Sequence, residues 1–169
     1  MSEAHKKEAP KTVRCKVITV SDTRTAESDK SGQLMHKYLE AAEHQVTAYE
    51  IVKDEQHLIG EAIESGLNNT DVDAILLNGG TGIAKRDVTI EVVEQMMNKA
   101  IPGFGEIFRM LSFQEDIGSA AILSRATAGV VRDKAVFATP GSSGAVKLAM
   151  ERLIIPELGH VMREVKKDL

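Results

Sequence analysis

The sequence predicts an α/β domain built on a mostly parallel sheet with helices on both faces. Three observations carry that prediction. Short apolar runs of strand length alternate with longer segments of helical spacing along most of the chain. The run Ala74–Leu77 is apolar without alternation, as expected of a strand buried on both faces. Two small-residue turns, Gly79–Gly82 and Pro140–Gly144, each follow an apolar run and precede a helical one, the place where an open α/β sheet binds its ligand.

Residues 1–11 are polar and charged, with Pro10 near their end, and read as a flexible tail before a single domain of residues 12–169. Thr12–Val20 reads as the first strand, with Val17, Ile18 and Val20 buried, and runs into the polar cluster Ser21-Asp22-Thr23-Arg24. Ser28 and Asp29 offer caps for a helix from about Lys30 to Ala42, whose apolar side is Leu34, Met35, Tyr38, Leu39 and Ala42. Val46–Val52 is the second strand. Asp54 is placed to cap the next helix, about Glu55 to Leu67, with Leu58, Ile59, Ala62 and Ile63 inward. Asn68–Asp71 ends it, and the central strand follows. A helix from about Thr89 to Lys99 turns Val92, Val93, Met96 and Met97 inward, and the two methionines suit flexible core filling better than a ligand site. Pro102-Gly103 interrupts the chain; Phe104–Phe113 resumes helical spacing with Ile107, Phe108 and Leu111 apolar, and a short helix covers about Gly118–Ser124. Ala128–Val131 and Ala135–Thr139 flank Arg132-Asp133-Lys134 as a hairpin at one side of the sheet. The long final helix is broken or bent near Pro156.

A chain of 169 residues is long enough to bury a substantial core, and 43% hydrophobic with 27% charged residues is ordinary for a globular protein in water. A formal charge of -4 argues against a broadly basic nucleic-acid surface but leaves room for a local basic pocket. Cys15 is the only cysteine, which excludes an intrachain disulfide and a cysteine zinc site; it reads as a small buried thiol. No apolar run has the length of a membrane span and the N-terminus has no signal-peptide core, so the expected location is cytoplasmic, without membrane or nucleic-acid partners.

The chemistry centres on Val72–Val93. Gly79, Gly80 and Gly82 permit backbone angles other residues avoid, and the helix that follows presents amides to an anion. This is not a P-loop, since no glycine lies five residues before a Gly-Lys-Ser/Thr triplet. It is not the dinucleotide fingerprint either, because Lys85 occupies the third glycine position. Pro140, Gly141 and Ser142 form the second turn, and parallel connections place both turns at one cleft. Two anion-receptive helix starts suit a ligand with more than one phosphate, or two phosphorylated ligands. Asp22, Asp54 and Asp87 follow strands or their loops; each suits a helix cap as well as a cation, and Asp54 with Asp87 is the leading pair for Mg2+. Glu106 and Arg109, three apart, suit a surface ion pair or a ligand contact, and Ser124-Arg125 adds an anion contact. His5, His36, His44, His57 and His160 lack zinc spacing, and no serine sits in a nucleophile elbow, so covalent catalysis is not expected.

The segments VITVSDTR (Val17–Arg24), LNGGTGIAKRDVT (Leu77–Thr89), IPGFGEIFR (Ile101–Arg109), LSRATAG (Leu123–Gly129) and ATPGSSGAVKLA (Ala138–Ala149) together resemble the MoaB/MogA family of molybdenum cofactor biosynthesis proteins, most closely its bacterial MoaB branch. The resemblance is dense and collinear from about Val13 to the C-terminus. It implies a three-layer α/β/α molybdopterin-binding fold and assembly into trimers or hexamers. It also implies a reaction, because active members adenylylate molybdopterin with Mg-ATP and release pyrophosphate. Two aspartates are essential in those enzymes, and their positions correspond to Asp54 and Asp87. The GGTG segment maps onto Gly79, Gly80, Thr81 and Gly82, the PGFGE segment onto Gly103 to Glu106, and the SR pair onto Ser124 and Arg125. Ser21, Asp22, Thr89, Pro140, Gly141 and Ser142 complete the implied molybdopterin and nucleotide contacts.

The last turn departs from the PGNP or PGQP-like sequences of several adenylyl-transferring relatives. A non-catalytic molybdopterin-binding or scaffolding protein, working with other proteins of the pathway, is therefore the alternative. A nucleotide-pyrophosphate hydrolase, like the related domain of competence-damage proteins, is the third reading.

Overall fold

Strand alternation divides the interior of this protein into two cores. In the computed structural model, which describes residues 3–169, β1 (Arg14–Val20), β2 (Gln45–Val52), β3 (Ala74–Asn78), β4 (Lys99–Ala100), β5 (Thr127–Val131) and β6 (Lys134–Thr139) form one sheet. Their order is β2-β1-β3-β6-β5-β4. The β1–β2, β1–β3 and β3–β6 pairs are parallel, whereas β5 runs antiparallel to both β6 and β4. Successive side chains of a strand point to opposite faces. Val17 and Leu76 therefore join one core with Met35, Phe108, Val146 and Leu158, while Ile18, Ile75 and Leu77 join the other with Ile59, Ile63 and Val93. Each fully buried Leu, Ile or Phe contributes about 1.5–3 kcal/mol.

The first core is covered by α2 (Lys30–Ala41), α5 (Pro102–Glu115), α6 (Ser143–Ala149) and α7 (Ile155–Lys166); the second by α3 (Gln56–Leu67) and α4 (Thr89–Met96). This is the expected three-layer arrangement with a mostly parallel sheet. Cys15 lies fully buried in β1, and desolvation pushes its thiol up to about 12.

Several local expectations are revised. Glu3–Lys7, within the stretch read as a flexible tail, form the short helix α1, with Lys6 Nζ 2.5 Å from Glu157 of α7; Met1 and Ser2 lie outside the described residues. Asp54 does not cap α3: Glu55 holds the N-cap position without a side-chain bond, and the Asp54 amide is tied to Asp22 Oδ1 at 3.1 Å. The helix α4 stops at Met96 because Lys99 and Ala100 leave to pair with Val130 and Gly129. Pro102 and Gly103 begin α5 rather than interrupt the chain, since a proline in the first turn forfeits no helical bond. Ile107 and Phe113 of that helix are exposed. Gly118–Leu123 is a 3-10 turn, and the break before Pro156 takes the form of a π-helical turn, Met150–Ile154.

At the end of the sheet away from the two small-residue turns, Asp73 joins β1, β3 and α7. It accepts from Arg14 Nη2 (3.0 Å), Arg14 Nε (3.1 Å) and Lys166 Nζ (2.8 Å). Burial pushes its carboxyl up, but these hydrogen bonds outweigh burial and hold it well below the usual carboxylate range. A depressed carboxylate stabilises the fold above its unfolded value and loses that contribution as pH falls through the folded one. Asp73→Asn is expected to lower unfolding free energy at pH 7 by about 1.5–3 kcal/mol. Urea titrations at several pH values should show the gap to wild type narrowing below about pH 4.

Candidate functional site

The carboxyl ends of four strands lie level: Val20 pairs with Val52, Thr19 with Asn78, and Asn78 with Thr139. Helix α2 leaves β1 on one face of the sheet and α3 leaves β2 on the other, so the β1–β3 boundary is a topological switch point. A cleft of about 350 Å³ opens there. Its lining comes from the ends of β1 and β3, the loop after β1, both small-residue turns, Asp87, and the segment Leu123–Arg125.

The turns pack backbone against backbone. Gly79 donates its amide to Thr139 O (3.0 Å) and runs at φ +93°; a Cβ there would sit 2.2 Å from Val20 O. Gly80, at φ +65°, is confined as tightly, since a Cβ would fall 2.4 Å from Thr89 Oγ1 and 2.9 Å from Asp54 Oδ1. Among the described residues the amides of Gly80, Thr81 and Gly82 have no protein acceptor. Their carbonyls are engaged: Thr89 N donates to Gly80 O (3.0 Å), Arg125 Nε to Thr81 O (2.9 Å) and Arg125 Nη2 to Gly82 O (2.8 Å). Arg125 Nη1 pairs with Glu91, and that hydrogen bond raises the guanidinium pKa further. A turn with its carbonyls tied back and its amides free is receptive to an anion.

The second turn is braced in the same manner. Gly141 O accepts from Ser31 Oγ (2.6 Å) and Arg24 Nη2 (3.3 Å). Ser142 caps α6 through its Oγ, which accepts from Ala145 N (3.2 Å). Ser21 Oγ accepts from Thr23 N (3.2 Å) and Arg24 N (3.1 Å), holding the loop after β1.

Three carboxylates meet at the rim. Asp87 lines the cleft, and its Oδ2 accepts from Ala84 N (3.0 Å). Asp54 stands behind Gly80. Burial pushes its carboxyl up, the neighbouring Asp22 and Asp87 charges add to this, and Arg86 opposes it. Asp22 is gripped at both oxygens by Arg86 (2.8 Å each), and that bond holds its carboxyl below the usual range.

The cleft therefore gathers Ser21, Gly79, Gly80, Thr81, Gly82, Asp87, Ser124, Arg125, Pro140, Gly141 and Ser142, with Asp22 and Asp54 beside its rim. Two predicted members are placed elsewhere. Glu106 is exposed on α5 and outside the lining, and Thr89 is buried beneath Gly80 with its Oγ1 unpartnered among the described residues. Arg125 lines the cleft with its donors directed to the Thr81 and Gly82 carbonyls and to Glu91. Sequence reasoning missed Arg24 as a brace, Ser31, Asn78 and Glu91. A cation in the turn after β1 was a readable signal for Arg24; Glu91 looked like any exposed helix residue.

Gly79→Ala places a Cβ against the Val20 carbonyl in a conformation side chains avoid. Urea unfolding should show a loss of about 1–3 kcal/mol from the backbone strain alone.

The family described as probable molybdopterin binding domain matches residues 16–160. Molybdenum cofactor biosynthesis protein B of Bacillus subtilis (strain 168) is 66% identical over 166 residues, covering 98% of each chain. The protein of the same name from Staphylococcus aureus (strain COL) is 49% identical over 169 residues, covering 99% of this chain and 100% of its own. A crystal structure of a molybdenum cofactor biosynthesis protein B matches with a TM-score of 0.92 at 59% identity, over 95% of this chain and 99% of that one. The tungsten cofactor synthesizing protein MoaB from Pyrococcus furiosus matches with a TM-score of 0.80 at 38% identity, over 94% and 99%. With near-complete coverage in both sequence and fold, the chain belongs to the molybdenum cofactor biosynthesis protein B (MoaB) family and carries its molybdopterin-binding domain.

Proposed function

We propose that this protein binds molybdopterin and Mg-ATP in the β1–β3 cleft and adenylylates molybdopterin in the cytoplasm. The observation that carries the reading is the approach of Asp54 and Asp87 to a glycine turn with free amides. A terminal phosphate oxygen of molybdopterin attacks the α-phosphorus of ATP. The new P–O bond forms as the bond to the α–β bridging oxygen breaks, and pyrophosphate leaves. Such reactions depend mainly on placement and charge neutralisation.

The amides of Gly80, Thr81 and Gly82 and the start of α6 at Ser142 take phosphate oxygens. Ser21, Ser124 and Arg125 shape the remainder of the cleft, with Arg125 keeping the first turn in its receptive form. Among the described residues no group of three or more His, Cys, Asp or Glu could hold a metal alone. Mg2+ suits the site nonetheless, since it takes one or two carboxylates with phosphate and water oxygens. The crowded Asp54 carboxyl marks a local excess of negative charge that a cation relieves. When bound, Mg2+ neutralises the triphosphate; Asp54 and Asp87 are the residues to hold it.

Assembly into a trimer or hexamer belongs to the same proposal. It is supported by an apolar surface of Ile107, Met110 and Phe113 on α5 with Ile122 and Leu123 of the adjoining 3-10 turn. A non-catalytic molybdopterin-binding role is the second reading, favoured by the Pro140–Gly144 turn that departs from the adenylyl-transferring pattern.

Molybdopterin-dependent pyrophosphate release from Mg-ATP separates the readings, and hydrolysis without the pterin would instead mark a nucleotide-pyrophosphate hydrolase. Asp87→Asn keeps an oxygen for Ala84 N and should retain the wild-type unfolding midpoint. Pyrophosphate release should fall by about 10²–10³-fold, as when a preorganised charge-stabilising group is removed. Unchanged turnover in that variant rejects the role of Asp87.

A further inference from the structure

The polar groups of the cleft converge on a side chain that does not line it. Asp29 is the N-cap of α2 and is fully buried. It accepts from Thr19 Oγ1 (2.6 Å), the Tyr49 hydroxyl (2.5 Å) and Gly32 N (2.9 Å), while Arg24 Nη1 lies 3.6 Å from its Oδ1. A helix cap needs only the bond from Gly32. The others reach in from β1, β2 and the loop after β1, and two of them continue into the cleft.

The first continuation is Arg24. Its Nη1 donates to Ser31 Oγ (3.1 Å) and its Nη2 to Gly141 O (3.3 Å), so the charge held beside Asp29 also grips the second turn. The second is Thr19. A hydroxyl has one proton, and here it is directed at a carboxylate that can only accept. Thr19 Oγ1 is therefore left as an acceptor, and it receives Asn78 Nδ2 at 3.0 Å. That polarity fixes which face the Asn78 carboxamide turns to Thr19, and it leaves Asn78 Oδ1 buried without a partner among the described residues. Thr19, Arg24, Asn78 and Gly141 all line the cleft.

We propose that Asp29 is the positioning residue of this cleft: its carboxylate sets the direction of the Thr19 hydroxyl, hence the face of the Asn78 carboxamide, and anchors Arg24 on the Gly141 carbonyl. The inference rests on the reading of the cleft as the ligand site but does not depend on adenylyl transfer.

Asp29→Asn is nearly isosteric and keeps an oxygen for Gly32 N, so α2 stays capped. Its amide hydrogens face the Thr19 and Tyr49 hydroxyls and reverse the Thr19 donor. In 15N–1H spectra of the protein without ligand, the Asn78 side-chain amide pair and the Arg24 Nε–H signal should shift. Tyr49→Phe removes a second donor to the same Asp29 oxygen, from a residue that does not line the cleft, and should leave both signals in place. With Mg-ATP as the probe, affinity should fall about 10- to 100-fold in Asp29→Asn, the loss expected for hydrogen bonds to a charged group, and hold in Tyr49→Phe.

Unshifted Arg24 and Asn78 signals in a folded Asp29→Asn protein overturn the proposal, as does an equal loss of affinity in Tyr49→Phe. If Asp29→Asn does not fold, Thr19→Val decides: the Asn78 pair should shift while Arg24 Nε–H does not, and an unmoved Asn78 pair overturns the relay. Wild type that fails to bind Mg-ATP counts against the proposed function, while the spectra still decide the positioning role.

Discussion

At the carboxyl edge of the sheet, Gly79 lies so close to its neighbours that the Val20 carbonyl occupies the place of its missing side chain. Gly141 is close as well, though less confined, because a Cβ there would come 3.0 Å from the Gly79 Cα. Three chain segments, leaving β1, β3 and β6, thus meet with backbone in contact with backbone. The level register of those strands makes the meeting possible, and the glycines make it sterically allowed. The ends of β1 and β3 and the two small-residue turns that border the cleft are held together at this contact.

Two arginines brace the loops around that contact, and both act on main-chain carbonyls. Arg125 donates to the Thr81 and Gly82 carbonyls, and Arg24 donates to that of Gly141. Each has its charge balanced nearby, Arg125 by Glu91 and Arg24 by Asp29. With both guanidiniums paired, the donors left without a protein acceptor in the first turn, among the described residues, are the backbone amides of Gly80, Thr81 and Gly82. On the opposite rim, Asp22 is neutralised by Arg86, whereas Asp54 is crowded by carboxylates and burial. Amide-rich turns thus lie beside an under-compensated carboxyl.

Much of this was legible in the chain. The apolar run at Ala74, the caps at Asp29 and Ser142, and the two small-residue turns are local signals, and the helices and strands stand close to where periodicity placed them. Expectations failed where a remote partner decided the outcome. Lys99 left its helix to reach Val130, and Glu55 took the N-cap position of α3 while the Asp54 amide bonded to Asp22.

The sequence by itself determined element types, the two small-residue turns and the family, because backbone preference, capping and periodicity act over a few neighbouring residues. The tertiary structure alone decided which guanidinium holds which carbonyl, across separations of 44 residues for Arg125 and Thr81 and 117 for Arg24 and Gly141. It also decided that Asp29, readable as an ordinary cap, collects donors from two strands. Such pairings depend on strand order and register, which bring distant positions within hydrogen-bond reach only after the sheet has formed.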